Sequence, residues 1–369
     1  MLSVLIVKSS SLGDIVHSFP LLSLFFQQEG EFTVDWVAES TAFPLLSRHP
    51  FLRKLFLIDT AKWRAAWHAP STWKEIRKVR RELRKEEYDL LFDLQGNGKS
   101  ALITSQVRAR SKVGWSWHAL QEKYGYLSTT HRYTPRGKNV RKQLLSLATQ
   151  HLKREEVDSL PPLPPLSLSE REREQRDEWI RHPLMHPSRL RIFITAHSGS
   201  PNKELRGDIW ITFLKKVLLF EEKRGRKVSF FFPWNGEREC NQAFFWHRHF
   251  PHHSWVLPHL SPSVLQALFR EADLVIGVDS FLLHLAGTTQ TPTYALFGPS
   301  SAGKYAPLQA GGRARHIQGK CPYGVNFTDR CPFLKSCPTA ACIKDLSAEE
   351  LFDSLFFSPT KRENSHGTT

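Results

Sequence analysis

Methionine is scarce, with two residues in 369, and cysteine is nearly so, with five. Five thiols in a chain of this length exclude a disulfide-built scaffold, and with no export signal the expectation is free thiols in a reducing compartment. Long apolar runs are missing too. The uncharged stretch from Ser280 to Gly303 is laced with Thr, Gln, Ser and Pro, whereas a bilayer span needs about 20 mostly apolar residues, so no transmembrane helix is expected. The opening MLSVLIVKSS lacks the basic n-region and cleavage site of a signal peptide and reads as a buried first strand. Neither GxGxxG nor the phosphate loop GxxxxGK[ST] occurs, so nucleotide binding through the first half has no motif behind it. Internal repeats are absent.

Acidic residues are in deficit, 36 against 51 Lys plus Arg, for a formal charge of +15. The imbalance is uneven: residues 1–160 carry 25 basic and 16 acidic side chains, and 161–369 carry 26 and 20. From Lys62 to Lys85 nine basic residues face only Glu75 and Glu82. An anionic partner fits such a stretch, whether nucleic acid, phospholipid headgroups or a phosphorylated substrate; a solvated helix face fits it as well.

Short runs of Val, Ile, Leu and Phe alternate with longer amphipathic segments, which predicts βαβ units and parallel sheets. Strands are expected at 2–7, 32–37, 54–58 and 89–94, with helices at 15–28, 41–48 and 72–86. A second series follows, with strands at 190–195, 227–232, 274–278 and 291–297 and helices at 210–223, 238–250, 263–270 and 281–287. Between the two series lies SLPPLPPLSLS, whose prolines forbid helix. The expected organisation is therefore an α/β domain over 1–157, a Pro-rich linker over 158–169, a second α/β domain over 170–358 and a disordered tail over 359–369. Two such halves leave a cleft at the carboxyl ends of their strands, where open α/β sheets bind ligands.

Three turns carry candidate chemistry. The first strand runs into Lys8-Ser9-Ser10-Ser11-Leu12-Gly13-Asp14, placing Asp14 at a helix start, where a carboxylate serves equally as a cap. The strand at 190–195 ends in Ala196-His197-Ser198-Gly199-Ser200-Pro201-Asn202-Lys203, whose hydroxyls, glycine and lysine suit a diphosphate. The strand at 274–278 delivers Asp279, Ser280 and, one helical turn on, His284. A lone histidine on an apolar helix is more often a hydrogen-bonded core residue than a ligand contact.

Taken with VDWVAE at 34–39, KWRAAW at 62–67, YDLLFDLQGNGKSA at 88–101, FPWNGERE at 232–239 and ALFGPSS at 295–301, these blocks resemble the bacterial lipopolysaccharide heptosyltransferases of glycosyltransferase family 9, most closely the heptosyltransferase I type. The resemblance covers nearly the whole chain. It implies a GT-B fold of two Rossmann-like domains facing across a cleft. ADP-heptose would be held by the C-terminal half and a Kdo-lipid A inner-core acceptor by the N-terminal half. In that reading Asp14 matches the catalytic base and Lys203 the cation at the departing ADP. Gly199, Ser200, Asp279, Ser280 and His284 match the donor-site residues, and Glu239, with Glu237 as a near competitor, matches the acid on the ribose. Ser10, Lys62, Arg64, Lys99, Arg141 and Lys142 match acceptor-side positions. The family commonly has glycine where Phe281 stands, which bears on the identity of the sugar. With no DxD triplet to hold Mg²⁺ on a diphosphate, the resemblance implies metal-independent, inverting transfer with no cofactor, peripheral on the cytoplasmic face of an anionic inner membrane. A related family 9 transferase using another nucleotide sugar, or adding a later core heptose, stays open.

Two features stand apart. Cys321, Cys331, Cys337 and Cys342 lack the paired CxxC spacing of a common zinc site, and a metal there is left open; Cys240 is expected to be buried. Trp63, Trp67 and Trp73 precede or open the basic helix and either pack between helix and sheet or rest on headgroups. A nucleic-acid-binding protein would have the charge and the aromatics as its only support, since no recognition motif accompanies them, and no nucleic acid is expected.

Overall fold

Residues 2–26, 32–120, 122–155, 160–161, 163–309 and 313–357 are described by the structure, a computed structural model. The expected tail lies outside the described residues, as does part of the expected linker. The chain divides into two compact units, Met1–Ser167 and Leu168–Thr369.

In the first unit a six-stranded sheet runs in the order β3-β2-β1-β4-β5-β6. Its strands are β1 (Leu2–Val7), β2 (Phe32–Glu39), β3 (Lys54–Ile58), β4 (Glu87–Asp93), β5 (Arg108–Trp115) and β6 (His131–Tyr133), and every pair is parallel. Helices cover the sheet, so the central strands are near-continuous apolar runs, as Leu2–Val7 shows with four buried residues in succession. Trp36, Phe25 and Phe92 are fully buried here.

The second unit repeats the plan. Strands β7 (Arg189–Thr195), β8 (Lys227–Phe232), β9 (Ser254–Val256), β10 (Leu274–Val278), β11 (Thr293–Phe297) and β12 (Ala314–Gln318) pair in parallel in the order β12-β11-β10-β7-β8-β9. Read from the other edge this is the same doubly wound order, so each unit has a switch point, between β1 and β4 and between β7 and β10. At the second, the strands approach so closely that a Cβ on Gly277 would lie 1.8 Å from Thr195 Oγ1. The core on one side of the sheet gathers Trp210, Phe213, Trp246, Phe230 and Leu351. Ser169 caps the unit's first helix, Glu170–Ile180, and Glu172 in turn accepts from the hydroxyls of Ser261 and Ser263, tying it to the helix Pro262–Glu271.

Several sequence expectations need correction. The expected helix at 15–28 is two, Leu12–His17 and Phe19–Phe26, because Pro20 restricts the residue before it and supplies no N–H. The segment 41–48 is likewise split into a 3₁₀ turn, Ser40–Ala42, and a short helix, Phe43–Leu46, around Pro44. Strands β5, β6, β9 and β12 were not expected at all. Cys240 is half-buried rather than buried. Among the described residues no helix is long and apolar enough to cross a membrane.

Candidate active site

A polar constellation lies at the second unit's switch point. β10 ends at Val278, and Asp279 follows with 6% of its surface exposed. Its Oδ2 accepts from Lys203 Nζ at 2.6 Å and from the Ser300 hydroxyl, and its Oδ1 lies 2.8 Å from His284 Nε2. Burial alone would raise the Asp279 pKa. The His284 hydrogen bond and the Lys203 ammonium outweigh it and hold the carboxyl far below the usual carboxylate range. The backbone carbonyl of Asp279 accepts from the Ser198 hydroxyl at 3.1 Å. Ser280 caps the helix Phe281–Ala286 by accepting from the Leu283 N–H, which places His284 one turn inside that helix. Four of the expected donor-site residues, Lys203, Asp279, Ser280 and His284, are thus one cluster at the ends of β7 and β10.

The turn after β7 is held from below. Glu204, absent from the sequence expectations, accepts from the Ser198 N–H and takes both terminal nitrogens of Arg238, at 2.8 and 2.7 Å. Burial raises its pKa and the Arg238 pair more than compensates, leaving it lowered. This fork fixes the Ser198–Lys203 turn against the helix Glu237–His247. Gly199 is exposed, with nothing within 4 Å of a built Cβ, and Ser200 precedes the 3₁₀ turn Pro201–Lys203. Glu239, in the first turn of the Glu237–His247 helix, accepts from the Asn235 N–H at 2.8 Å, and its pKa is raised by burial. His197 stacks on Trp246 at 5.2 Å, and burial lowers its pKa to about 4. Phe281 is half-buried at the start of its helix.

Behind this turn runs the thiol-bearing loop. Asn202 Nδ2 donates to the carbonyls of Leu334 and Cys337, and the Cys331 N–H donates to Pro299 O. Cys321, Cys331, Cys337 and Cys342 line one small cavity and are all free thiols. Burial, with the neighbouring thiols, pushes Cys342 up to about 11. Among the described residues no three His, Cys, Asp or Glu side chains are grouped to hold a metal ion.

In the first unit β1 delivers Asp14 to the helix Leu12–His17. Its carboxylate accepts from the Ser11 N–H at 3.1 Å and the Ser11 hydroxyl at 2.9 Å, so the capping role weighed from the sequence is present. The remaining expected residues follow the carboxyl ends of strands in the same sheet. Ser10, after β1, donates its N–H to Gln95 after β4. Lys99 pairs with Glu39 at 2.7 Å, and Glu39 also accepts from the Thr60 N–H. Thr60 opens the helix Thr60–Ala65, which carries Lys62 and Arg64. Arg64 is exposed, while Lys62 is engaged by Glu75 at 2.6 Å. Lys142 is half-buried, but Arg141, at the N-terminal end of the helix Val140–His151, is 1% exposed, which leaves it no open surface to offer a bulky acceptor.

What this arrangement does chemically follows from its charges. Lys203 is a half-buried cation oriented by a carboxylate that is itself fixed by a histidine and a hydroxyl, beside the Ser198–Lys203 turn. A cation held in place in this way suits phosphate oxygens, because it needs little reorganisation to meet them.

Comparison with known proteins gives a consistent picture. The profile of glycosyltransferase family 9 (heptosyltransferase) matches residues 76–335. Lipopolysaccharide heptosyltransferase 1 of Escherichia coli K12 is 24% identical over 306 residues, covering 81% of this chain and 89% of the relative. The Pseudomonas aeruginosa protein of that name is 26% identical, covering 81% and 79%. Among solved structures, E. coli heptosyltransferase WaaC with ADP superposes with a TM-score of 0.69 at 22% identity, over 84% of this chain and 91% of that one. E. coli ADP-heptose lps heptosyltransferase II gives 0.67 at 18%, over 96% and 97%.

Proposed function

The chain belongs to glycosyltransferase family 9, the heptosyltransferases, and from that premise we propose that it moves heptose from ADP-heptose to the Kdo-lipid A inner core of lipopolysaccharide. The observation that carries this reading is the Lys203–Asp279–His284–Ser300 cluster at the second unit's switch point. E. coli heptosyltransferase WaaC, which has the same plan, is solved both with ADP and with ADP-2-deoxy-2-fluoro heptose.

In the proposed reaction Asp14 takes the proton from an acceptor hydroxyl as its oxygen attacks the anomeric carbon. The bond from that carbon to the diphosphate oxygen breaks, the electron pair leaves with ADP, and configuration inverts in one displacement. Lys203 stabilises the charge growing on ADP. Asp279 accepts from Lys203 and cannot donate to phosphate, so its part is to aim the lysine and His284. Gly199, Ser200, Ser280 and Glu239 complete the donor side; Ser10, Lys62, Arg64, Lys99 and Lys142 supply the acceptor side. Cations and helix ends do the work a metal does elsewhere. Phe281 supports a second reading within the family, a different sugar or a later core heptose.

Asp14→Asn tests the assignment. The amide still accepts from Ser11, so the fold is kept, but the base is gone. Transfer is expected to fall by about a hundredfold or more with ADP-heptose affinity unchanged. A variant that transfers at the native rate removes Asp14 from the chemistry.

A further inference from the structure

The helix Pro70–Lys85 of the first unit sorts its residues by charge around its circumference. Thr72 and Leu83 are buried, and Ile76 and Val79 half-buried, on one side. On a 3.6-residue helix the opposite arc, roughly 160° wide, takes Lys74, Arg77, Lys78, Arg80, Arg81, Arg84 and Lys85 and no acid. All seven are exposed. Glu75 and Glu82 fall at the arc's flank, and Glu75 is consumed by Lys62 and the Trp63 indole N–H. Among the described residues Lys74, Arg77, Lys78, Arg80, Arg81 and Lys85 have no carboxylate partner. A merely solvated helix face would interleave the two signs; this one separates them.

Within the same arc stands Trp73, 48% exposed, and beside it Trp67, 68% exposed. Packing between helix and sheet, one of the two readings of these rings, therefore does not describe them. The Trp73 Nε1–H is already satisfied by the Trp67 carbonyl at 2.8 Å, so its ring faces outward without a polar demand. The next helix, Gly98–Gln106, is joined to the basic one by the Arg84–Gln106 hydrogen bond and exposes 68% of Leu102. Cations with large apolar side chains among them match the boundary between headgroups and acyl chains, where Lys and Arg meet lipid phosphate and Trp settles at headgroup depth. A nucleic acid would use the charge and gain nothing from Leu102.

We propose that the arc of the Pro70–Lys85 helix, with Trp67, Trp73 and Leu102, is a docking face for an anionic phospholipid surface. The inference deepens the proposed function and rests on its glycolipid acceptor: basic residues near such a surface add their attractions, so the helix holds the enzyme where a membrane-borne acceptor resides.

The test is co-sedimentation of the full chain with vesicles of phosphatidylcholine, alone or with one third phosphatidylglycerol, in the absence of donor and acceptor. The native protein is expected to pellet with the mixed vesicles only, and less as salt rises. The triple variant R77Q/R80Q/R81Q is expected to bind at least about tenfold more weakly. Its melting temperature and its transfer to an acyl-free, water-soluble acceptor are expected to match those of the native chain. Trp73→Ala, with all charges kept, is expected to weaken binding as well. Native protein that ignores the mixed vesicles, a triple variant that binds them undiminished, or tighter binding to a single-stranded RNA at equal salt overturns the docking face. Failure of the native chain to transfer heptose to the soluble acceptor counts against the glycolipid reading alone, since vesicle binding is read without it.

Discussion

His197 begins the turn after β7 with both ring nitrogens buried and without a hydrogen bond among the described residues, its ring stacked on Trp246. A buried polar group left unsatisfied costs about 1–3 kcal/mol, and the stack asks only for an aromatic plane. His197→Phe is therefore expected to leave stability at pH 7 unchanged or higher. The ordinary value for this ring is 6.5 and the folded value about 4, so between them the unfolded chain binds a proton that the folded chain refuses. Stability then falls as pH drops through that window, and the phenylalanine variant lacks that loss. Denaturant titrations at pH 7 and pH 4.5 check both points. At this scale the sequence was legible where a residue sits beside a strand end: Lys203, Asp279, Ser280 and His284 each follow an apolar run by a few positions. Ser300, Glu204 and Arg238 were not, because a hydroxyl 21 residues from its carboxylate, or an Arg–Glu fork 34 residues apart, leaves no local pattern.

Central strands write themselves into sequence because both faces are covered. LVIGV and KVSFFF are such runs, and β10 and β8 sit where they predict. The outlying strands do not. β5 reads RARSKVGW with only two of its eight residues buried, β6 and β9 are three residues long, and β12 is an edge strand of mixed polarity. Gly277 gives this scale its prediction. Any side chain there meets Thr195, whose carbonyl oxygen would lie 2.6 Å from the new Cβ and has nowhere to move inside a sheet. Gly277→Ala is expected to cost about 3 kcal/mol or more, and adding Thr195→Ala to recover only part, since the carbonyl remains. Melting curves of the single and double variants decide it; full recovery would mean that the hydroxyl alone sets the spacing of β7 and β10.

The two units share one strand order with no sequence repeat between them, so what distinguishes them is charge and the contents of their turns. The first half carries the larger basic surplus and the helix of unpaired cations; the second carries the fixed lysine beside its switch point. A ligand bound by the native state alone raises the unfolding midpoint by mass action. The chain is expected to melt a few degrees higher in ADP-heptose, and to a lesser extent in ADP, with UDP- and GDP-sugars without effect; equal shifts from all three bases would remove the adenine preference from the proposal. The Asn202 amide adds a consequence for handling the enzyme. It grips two carbonyls of the thiol loop and stands next in the chain to Lys203. Alkylating Cys337, or oxidising it during purification, is therefore expected to shift the loop carbonyls and, through Asn202, Lys203; under the proposed function, preparations that differ only in reductant are expected to differ in their affinity for ADP.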